Sequence, residues 1–141
     1  MTTIRPEAAA ELKRIAKASG GMLQPEVVVD CAKKKDSPLH EYFTWDDTEA
    51  AREYRLWQAR SIIRVVVDVV PHTEIETRAF VSLQSDRNAD RGYRGIVSVM
   101  SDADLQAELL EQARSDMTRF RLKYRILKEL AGVFEAMDKV K

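Results

Sequence analysis

The 141-residue chain is poor in the residues and runs that most often reveal a function. Its single cysteine, Cys31, excludes an intramolecular disulfide, and the apolar run around it favours a buried hydrophobic role over that of a reactive thiol. Basic and acidic residues number 23 each, so no global field draws the protein onto nucleic acid or an anionic membrane. Any such binding must come from a local patch.

Catalytic motifs are equally scarce. The two histidines, His40 and His72, belong to different predicted elements, and the sequence has no paired-histidine, paired-cysteine, glycine-rich phosphate or nucleophile-elbow motif. The best local candidate for a divalent metal or for acid–base chemistry is His40 with Glu41, Asp46 and Asp47. Helix capping explains the aspartates better. We therefore expect a non-enzymatic protein with no catalytic residue, no metal and no cofactor.

Long apolar runs are absent as well. No stretch approaches the ~18 residues of a membrane span, and the first residues, MTTIRPEAAAELKR, carry charges where a secretory signal has an apolar region. A hydrophobic content of 45% suits one domain with its own core, or a small domain with a helical extension. We expect a soluble, intracellular protein with no membrane contact.

The first half of the chain has helical periodicity. Helices are predicted over residues 5–18, 25–34 and 48–64, with a short helical turn over 39–43. Pro6 and Pro25 fall in first turns, and Gly20 follows the end of the first helix, as helix termini favour. In the third helix, the spacing puts Arg55 and Arg60 among the residues of the solvent side. The other side consists of adjacent faces with Tyr54, Trp57 or Gln58, Ser61 or Ile62, and Val65. Such a tri-helical unit can contain a helix-turn-helix, although many small helical domains bind nothing.

The middle of the chain has strand character. Strands are predicted within 64–70, over 76–83 and over 95–100, because β-branched residues and alternation dominate there. The polar, turn-rich segment 84–94 is predicted to be an exposed loop. Three strands form a small antiparallel sheet that needs a helix to cover one face.

The last segment predicts a long amphipathic helix from an N-cap at Ser101 to about Ala131. Its apolar residues follow an unbroken heptad pattern: Leu110, Ala113, Met117, Phe120, Tyr124, Leu127, Ala131 and Phe134. Such a helix spans about 45 Å, against a diameter of about 37 Å for a compact chain of this length. Either this stripe is an oligomer interface, most simply of a dimer, or the helix breaks near Ser115 or Gly132. The fold class is thus α+β and mainly α, with residues 1–100 carrying the helical unit and sheet and 101–141 the C-terminal helix.

Local basic clusters offer phosphate contacts. They comprise the triplet Lys33, Lys34 and Lys35, the loop residues Arg87, Arg91 and Arg94, and the helix residues Arg119, Arg121, Lys123 and Arg125. A basic helix can follow a phosphate backbone, and a basic loop can reach into a groove. The alternatives are a solvated helix face and an ordinary hairpin loop.

The region from Leu23 to Arg64 resembles short uncharacterised proteins of tailed bacteriophages and prophages. The residues that carry the resemblance are Leu23-Gln24-Pro25-Glu26-Val27-Val28, Ser37-Pro38-Leu39-His40, Trp45-Asp46-Asp47, Tyr54-Arg55 and Gln58-Ala59-Arg60. In those proteins a similar series precedes a strand region and a C-terminal helical tail. The resemblance implies a phage protein acting in the bacterial cytoplasm, and it implies no catalytic or binding residue.

Two functional hypotheses follow. The first is a small non-enzymatic DNA-binding or DNA-associated phage protein that works as an oligomer. The second is a protein-interaction module, such as an adaptor, a host-factor inhibitor or an assembly protein. It would bind a host or phage protein through the C-terminal stripe and the region of Trp45 and Trp57.

Overall fold

The N-terminal helices form where the sequence predicts them. In the computed structural model, which describes residues 3–45 and 48–140, these helices are α1 (Pro6–Ala18), α2 (Pro25–Ala32) and α3 (Glu49–Val65), with a 3₁₀ turn at His40–Tyr42. Leu12, Val28 and Leu39 are fully buried where these elements meet. Cys31, expected in the core, is partly exposed and packs at its edge. Asp46 and Asp47, expected as caps, lie outside the described residues.

The faces of α3 are rotated from those predicted. Tyr54 is 49% and Trp57 58% exposed, whereas Arg55 is buried. The inward face consists of Leu56, Ala59, Ile62 and Ile63. Arg55 is accommodated because its guanidinium donates to the Thr44 carbonyl at 3.3 Å and lies over the Trp45 ring, 5.3 Å from the centroid. Aromatic residues were thus a poor guide to burial on this helix.

In residues 3–45 and 48–140, five short strands form two antiparallel sheets. Strands β1 (Met22–Leu23), β4 (Phe80–Val81) and β5 (Tyr93–Gly95) pair in the order β1-β5-β4, and β2 (Val67–Val69) pairs with β3 (Glu76–Arg78) as a hairpin. The registers align Leu23 with Tyr93, Phe80 with Gly95 and Val67 with Arg78. Gly92 precedes β5 with φ of +100°, and a Cβ there would lie 2.6 Å from the Leu23 carbonyl oxygen, so this close strand approach requires glycine.

Two predictions for the middle of the chain were wrong. Residues 95–100, predicted as a strand, contain only the end of β5, followed by helix α5 (Ile96–Met100). The segment 84–94, predicted as an exposed loop, begins with helix α4 (Gln84–Asn88) and buries Asp86 completely. The strand predicted over 76–83 is divided between β3 and β4.

The C-terminal helix is real but shorter than predicted. Helix α6 (Ala103–Tyr124) begins at an Asp102 cap rather than at Ser101, and it spans roughly 33 Å. The helical conformation is interrupted over residues 125–127, and not at Ser115 or Gly132 as predicted. A 3₁₀ turn (Lys128–Leu130) and helix α7 (Ala131–Met137) follow. Within 3–45 and 48–140, no helix has both the length and the apolar character needed to cross a bilayer.

Candidate nucleic-acid interface

A polar groove of about 610 Å³ lies where α3, the sheets, α4 and α6 meet. Arg60 and Arg64 enter it from the last turns of α3, Arg78 from the end of β3, and Arg87 from α4. Arg60 and Arg64 are one helical turn apart, about 6 Å along the axis, so both reach the same space. The groove therefore collects four guanidinium groups from three separate parts of the chain.

Three of these arginines have no side-chain partner among the described residues. The side chains of Arg60, Arg64 and Arg78 form no hydrogen bond or ion pair with any residue in the described ranges. Arg87 is different, because its guanidinium donates to the Ser82 carbonyl and the Gln84 side chain, each at 2.7 Å. A guanidinium presents planar paired donors that match phosphate oxygens. The three free groups are the strongest anion-binding feature of the groove.

The rest of the groove is not uniformly positive. Glu26, Asp90 and Asp116 contribute three carboxylates, of which Asp116 is paired with Arg119. Tyr93 also lines the groove, although its side chain is almost entirely buried. A nucleotide suits this mixture, since its phosphate accepts from guanidinium groups and its exocyclic amino groups donate to carboxylates.

An exposed aromatic pair continues this surface along α3. The Tyr54 and Trp57 rings stack with centroids 5.8 Å apart and an interplanar angle of 12°. Trp57 and Arg64 are seven residues apart and share one helix face, and Tyr54 to Arg64 covers about 15 Å of helix. Open aromatic rings beside a basic groove offer stacking surfaces for unpaired bases.

Two of the three loop arginines predicted to contact phosphate, Arg91 and Arg94, pair with a buried carboxylate. The Asp86 carboxylate is fully buried and accepts from Arg94 Nε at 2.7 Å, from a second Arg94 nitrogen at 2.9 Å and from Arg91 Nε at 3.0 Å. The hydrogen bond to Asp86 raises the pKa of Arg94 above its ordinary value. Arg91 and Arg94 thus hold the α4 turn, and of the loop arginines only Arg87 lines the groove.

The other predicted basic clusters lie outside the groove. Lys33 pairs with Asp30 at 3.5 Å, whereas Lys34 and Lys35 are exposed beyond the end of α2. On α6, Arg119 pairs with Asp116 and Arg121 with Asp138. Lys123 lies over the Tyr124 ring at 5.3 Å, and Arg125 is exposed. The structure does not bring these clusters together into one surface.

The predicted apolar stripe divides at the break after Tyr124. Leu110 and Ala113 line an open apolar groove with Met100 and Ala103 at the start of α6. Phe134 is buried, because α7 folds back so that its ring lies 6.3 Å from that of Phe120. Met117 is half-buried near α7, while Tyr124 packs on Phe120, and Leu127 and Ala131 remain exposed. One part of the stripe is thus used within the chain and another part is open.

The contacts of His40 hold the local fold together. Its Nδ1 lies 2.8 Å from the Ala32 carbonyl oxygen, so this nitrogen donates, and its ring stacks on Trp45 at 4.9 Å. Trp45 in turn donates to the His40 carbonyl at 3.0 Å. His72 lies far along the chain in the exposed β2–β3 turn. Within the described ranges, no three His, Cys, Asp or Glu residues are grouped as metal ligands.

The sequence indicated only part of this groove. The predictions placed Arg60 on the solvent side of α3 without a partner surface, and they did not single out Arg64 and Arg78. The i, i+4 spacing of Arg60 and Arg64 was a usable local signal. The approach of Arg78 depends on the β2–β3 pairing, which places it opposite Val67.

Comparison of the chain with protein-family models, curated protein sequences and solved structures found no match.

Proposed function

We propose that the protein is a small non-enzymatic DNA-binding protein that acts as an oligomer, in the phage and cytoplasmic setting that its sequence resemblance implies. The observation that carries the proposal is the convergence of Arg60, Arg64 and Arg78 on one groove, with no internal partner in the described part of the chain. Phosphates occupy the groove in this proposal. Unpaired bases stack on Tyr54 and Trp57, so single-stranded DNA binds more tightly than duplex.

The test is a salt titration of binding to labelled single-stranded and duplex oligonucleotides, measured by fluorescence anisotropy. Replacing Arg60, Arg64 and Arg78 together by Gln removes three phosphate contacts, so the slope of log affinity against log salt falls by about 2 to 3 units. The matched control replaces Lys33, Lys34 and Lys35 by Gln, which removes the same charge and leaves the slope nearly unchanged.

Trp57→Ala supplies the second arm of this experiment. It lowers affinity for the single strand about five-fold or more and leaves duplex binding nearly unchanged, because stacking on one base contributes about 1 to 3 kcal/mol. No binding at low salt, a salt-independent affinity, or equal losses in the arginine and lysine variants would contradict the proposal.

A protein-interaction module is the second candidate. It is favoured by large apolar side chains of the C-terminal segment that face solvent, with Ile126 89%, Leu122 66% and Val133 46% exposed. Of the two tryptophans expected to join this contact, Trp57 is available, whereas Trp45 is stacked on His40. Capture of one bacterial or phage protein that survives nuclease treatment, and is lost in a Leu122→Asp variant, would favour this function over DNA binding.

A further inference from the structure

The arginine groove also holds two carboxylates that the described part of the chain leaves unpaired. Glu26 lines it from the first turn of α2, and Asp90 lines it from the segment after α4. Neither side chain forms a hydrogen bond or an ion pair with a residue of 3–45 or 48–140, the groove arginines included. Carboxylates weaken the attraction of a groove for a phosphate backbone. Phosphate binding alone therefore does not account for them.

The strand pairing gathers these carboxylates at one end of the groove. Helix α2 follows β1 directly, and a Cβ on Gly92 would lie 3.1 Å from the Gln24 Cα. The segment ending at Gly92 thus brings Asp90 to the start of α2, near Glu26. Arg78 precedes β4, which lies two strands away from β1 in the sheet, a separation of about 10 Å. A ligand that contacts both ends must offer different chemistry at each.

The two glutamines of the groove differ in the same way. Gln112 is used within the protein, since it donates to the Ser82 carbonyl at 2.9 Å and accepts from the Gln84 amide at 3.1 Å. The Gln24 side chain, beside Glu26, forms no hydrogen bond with any described residue. A carboxamide both donates and accepts, whereas a carboxylate only accepts. The α2 end of the groove thus combines unused acceptors with one adaptable donor, as the edge of a nucleobase requires.

The DNA bases differ in what they offer to these acceptors. Adenine, cytosine and guanine each carry an exocyclic amino group that can donate to a carboxylate. Thymine carries none, and its ring N–H lies between two carbonyl oxygens that a carboxylate repels. A thymine at the α2 end of the groove would therefore leave the carboxylates without a good donor.

We infer that Glu26 and Asp90 make the groove discriminate against thymine. The bound single strand places an amino-bearing base beside these carboxylates and its phosphates on the arginines. This inference rests on the proposed function, because it assigns a base preference to the same groove. The exposed rings of Tyr54 and Trp57 add no such preference, since every base has a face that can stack.

Two pyrimidine oligomers of equal length test the preference. Oligo-dC and oligo-dT have the same backbone, charge and ring size, so fluorescence anisotropy at one salt concentration compares the bases alone. Slightly alkaline buffer keeps cytosine neutral. The wild type binds oligo-dC about five-fold or more tightly than oligo-dT, because the cytosine amino group finds an acceptor and thymine does not.

Removal of the two carboxylates abolishes the preference. In Glu26→Ala/Asp90→Gly the ratio of the two affinities falls to about one, and oligo-dT binds more tightly than to the wild type because less negative charge opposes its phosphates. Glycine suits position 90, where φ is +55°. The matched control is Glu7→Ala/Glu74→Gly. It removes the same charge from the first turn of α1 and from a residue with φ of +56°, both outside the groove, and it keeps the preference.

The inference and the proposed function fail in different ways. Equal affinity of the wild type for both oligomers rejects base discrimination, and so does a preference that survives in Glu26→Ala/Asp90→Gly or is lost equally in the control. In each of these cases, salt-dependent binding through the arginines still stands. The absence of binding to either oligomer at low salt rejects both. Circular dichroism confirms that each variant retains its helices.

Discussion

The helical unit of α1 to α3 and the C-terminal segment of α6 and α7 use similar amphipathic patterns in different ways. In the helical unit, Leu12, Val28 and Ile63 are all buried within the same chain. In α6 none of the stripe residues is buried, and Phe134 of α7 is the one buried side chain in the described part of the C-terminal segment. An apolar stripe therefore predicts a contact but does not say whether that contact lies inside the chain.

The most direct test of this contrast compares the loss of stability caused by a leucine-to-alanine substitution in each region. Leu39→Ala removes a fully buried side chain from the core and lowers the free energy of unfolding by roughly 2 to 5 kcal/mol. Leu122→Ala removes a side chain that is 66% exposed and faces away from the stripe, so the change is within about 0.5 kcal/mol. Urea denaturation measures both. Equal losses would mean that α6 is buried against the domain in solution.

A second pair of variants separates structural arginines from those of the groove. Arg94→Met removes the two-nitrogen contact to the buried Asp86 carboxylate and lowers the unfolding free energy by about 3 kcal/mol, although Arg91 remains. Arg78→Met leaves stability nearly unchanged, since the Arg78 side chain has no partner among the described residues. Urea denaturation of both variants is the measurement. A comparable destabilisation by Arg78→Met would show that the groove arginines serve the fold.

The parts of the fold that could be predicted are those fixed by neighbouring residues. Pro6 and Pro25 mark the starts of α1 and α2, and Thr48 caps α3 by accepting from the Ala51 amide. Residues 96–100 were mistaken for a strand because Ile96, Val97 and Val99 are β-branched. The chain leaves the sheet there, after Ile96 donates to the Ala79 carbonyl, and a helical turn buries Ile96 and Val99. Tertiary packing overrides local preference at this point.

The end of α6 at Tyr124 and the arginine groove could not be predicted from the sequence, for a different reason. No glycine or proline occurs in 125–127, and the apolar period continues through Leu127 and Phe134 because α7 is itself amphipathic. Only the packing of Phe134 on Phe120 distinguishes a folded-back helix from a continuous one. The groove likewise joins α3, β3 and α4, which are distant in sequence, so the helix and strand patterns placed its residues separately.

The smallest expected effect concerns the attachment of α6 to α4. Hydrogen bonds from the Ser85 hydroxyl and backbone amide hold the pKa of Glu108 below its ordinary value of about 4.5. A lowered folded-state pKa stabilises the fold above the unfolded-state pKa, and this contribution is lost as the pH falls through the folded-state value. The wild type therefore loses slightly more stability than Glu108→Gln between neutral pH and pH values below about 4.5.

Denaturation of both proteins across this range, with hydrogen exchange of the α6 amides, measures the difference. Because the glutamine side chain in the variant does not titrate, any pH dependence shared by the two proteins comes from other groups. The excess loss in the wild type should appear as faster exchange within α6 and not within α1. If exchange in α6 responds to pH identically in both proteins, the contact between Glu108 and Ser85 does not attach the helix. The α6 helix would then be joined to the domain mainly through Gln112 and its packing on α5.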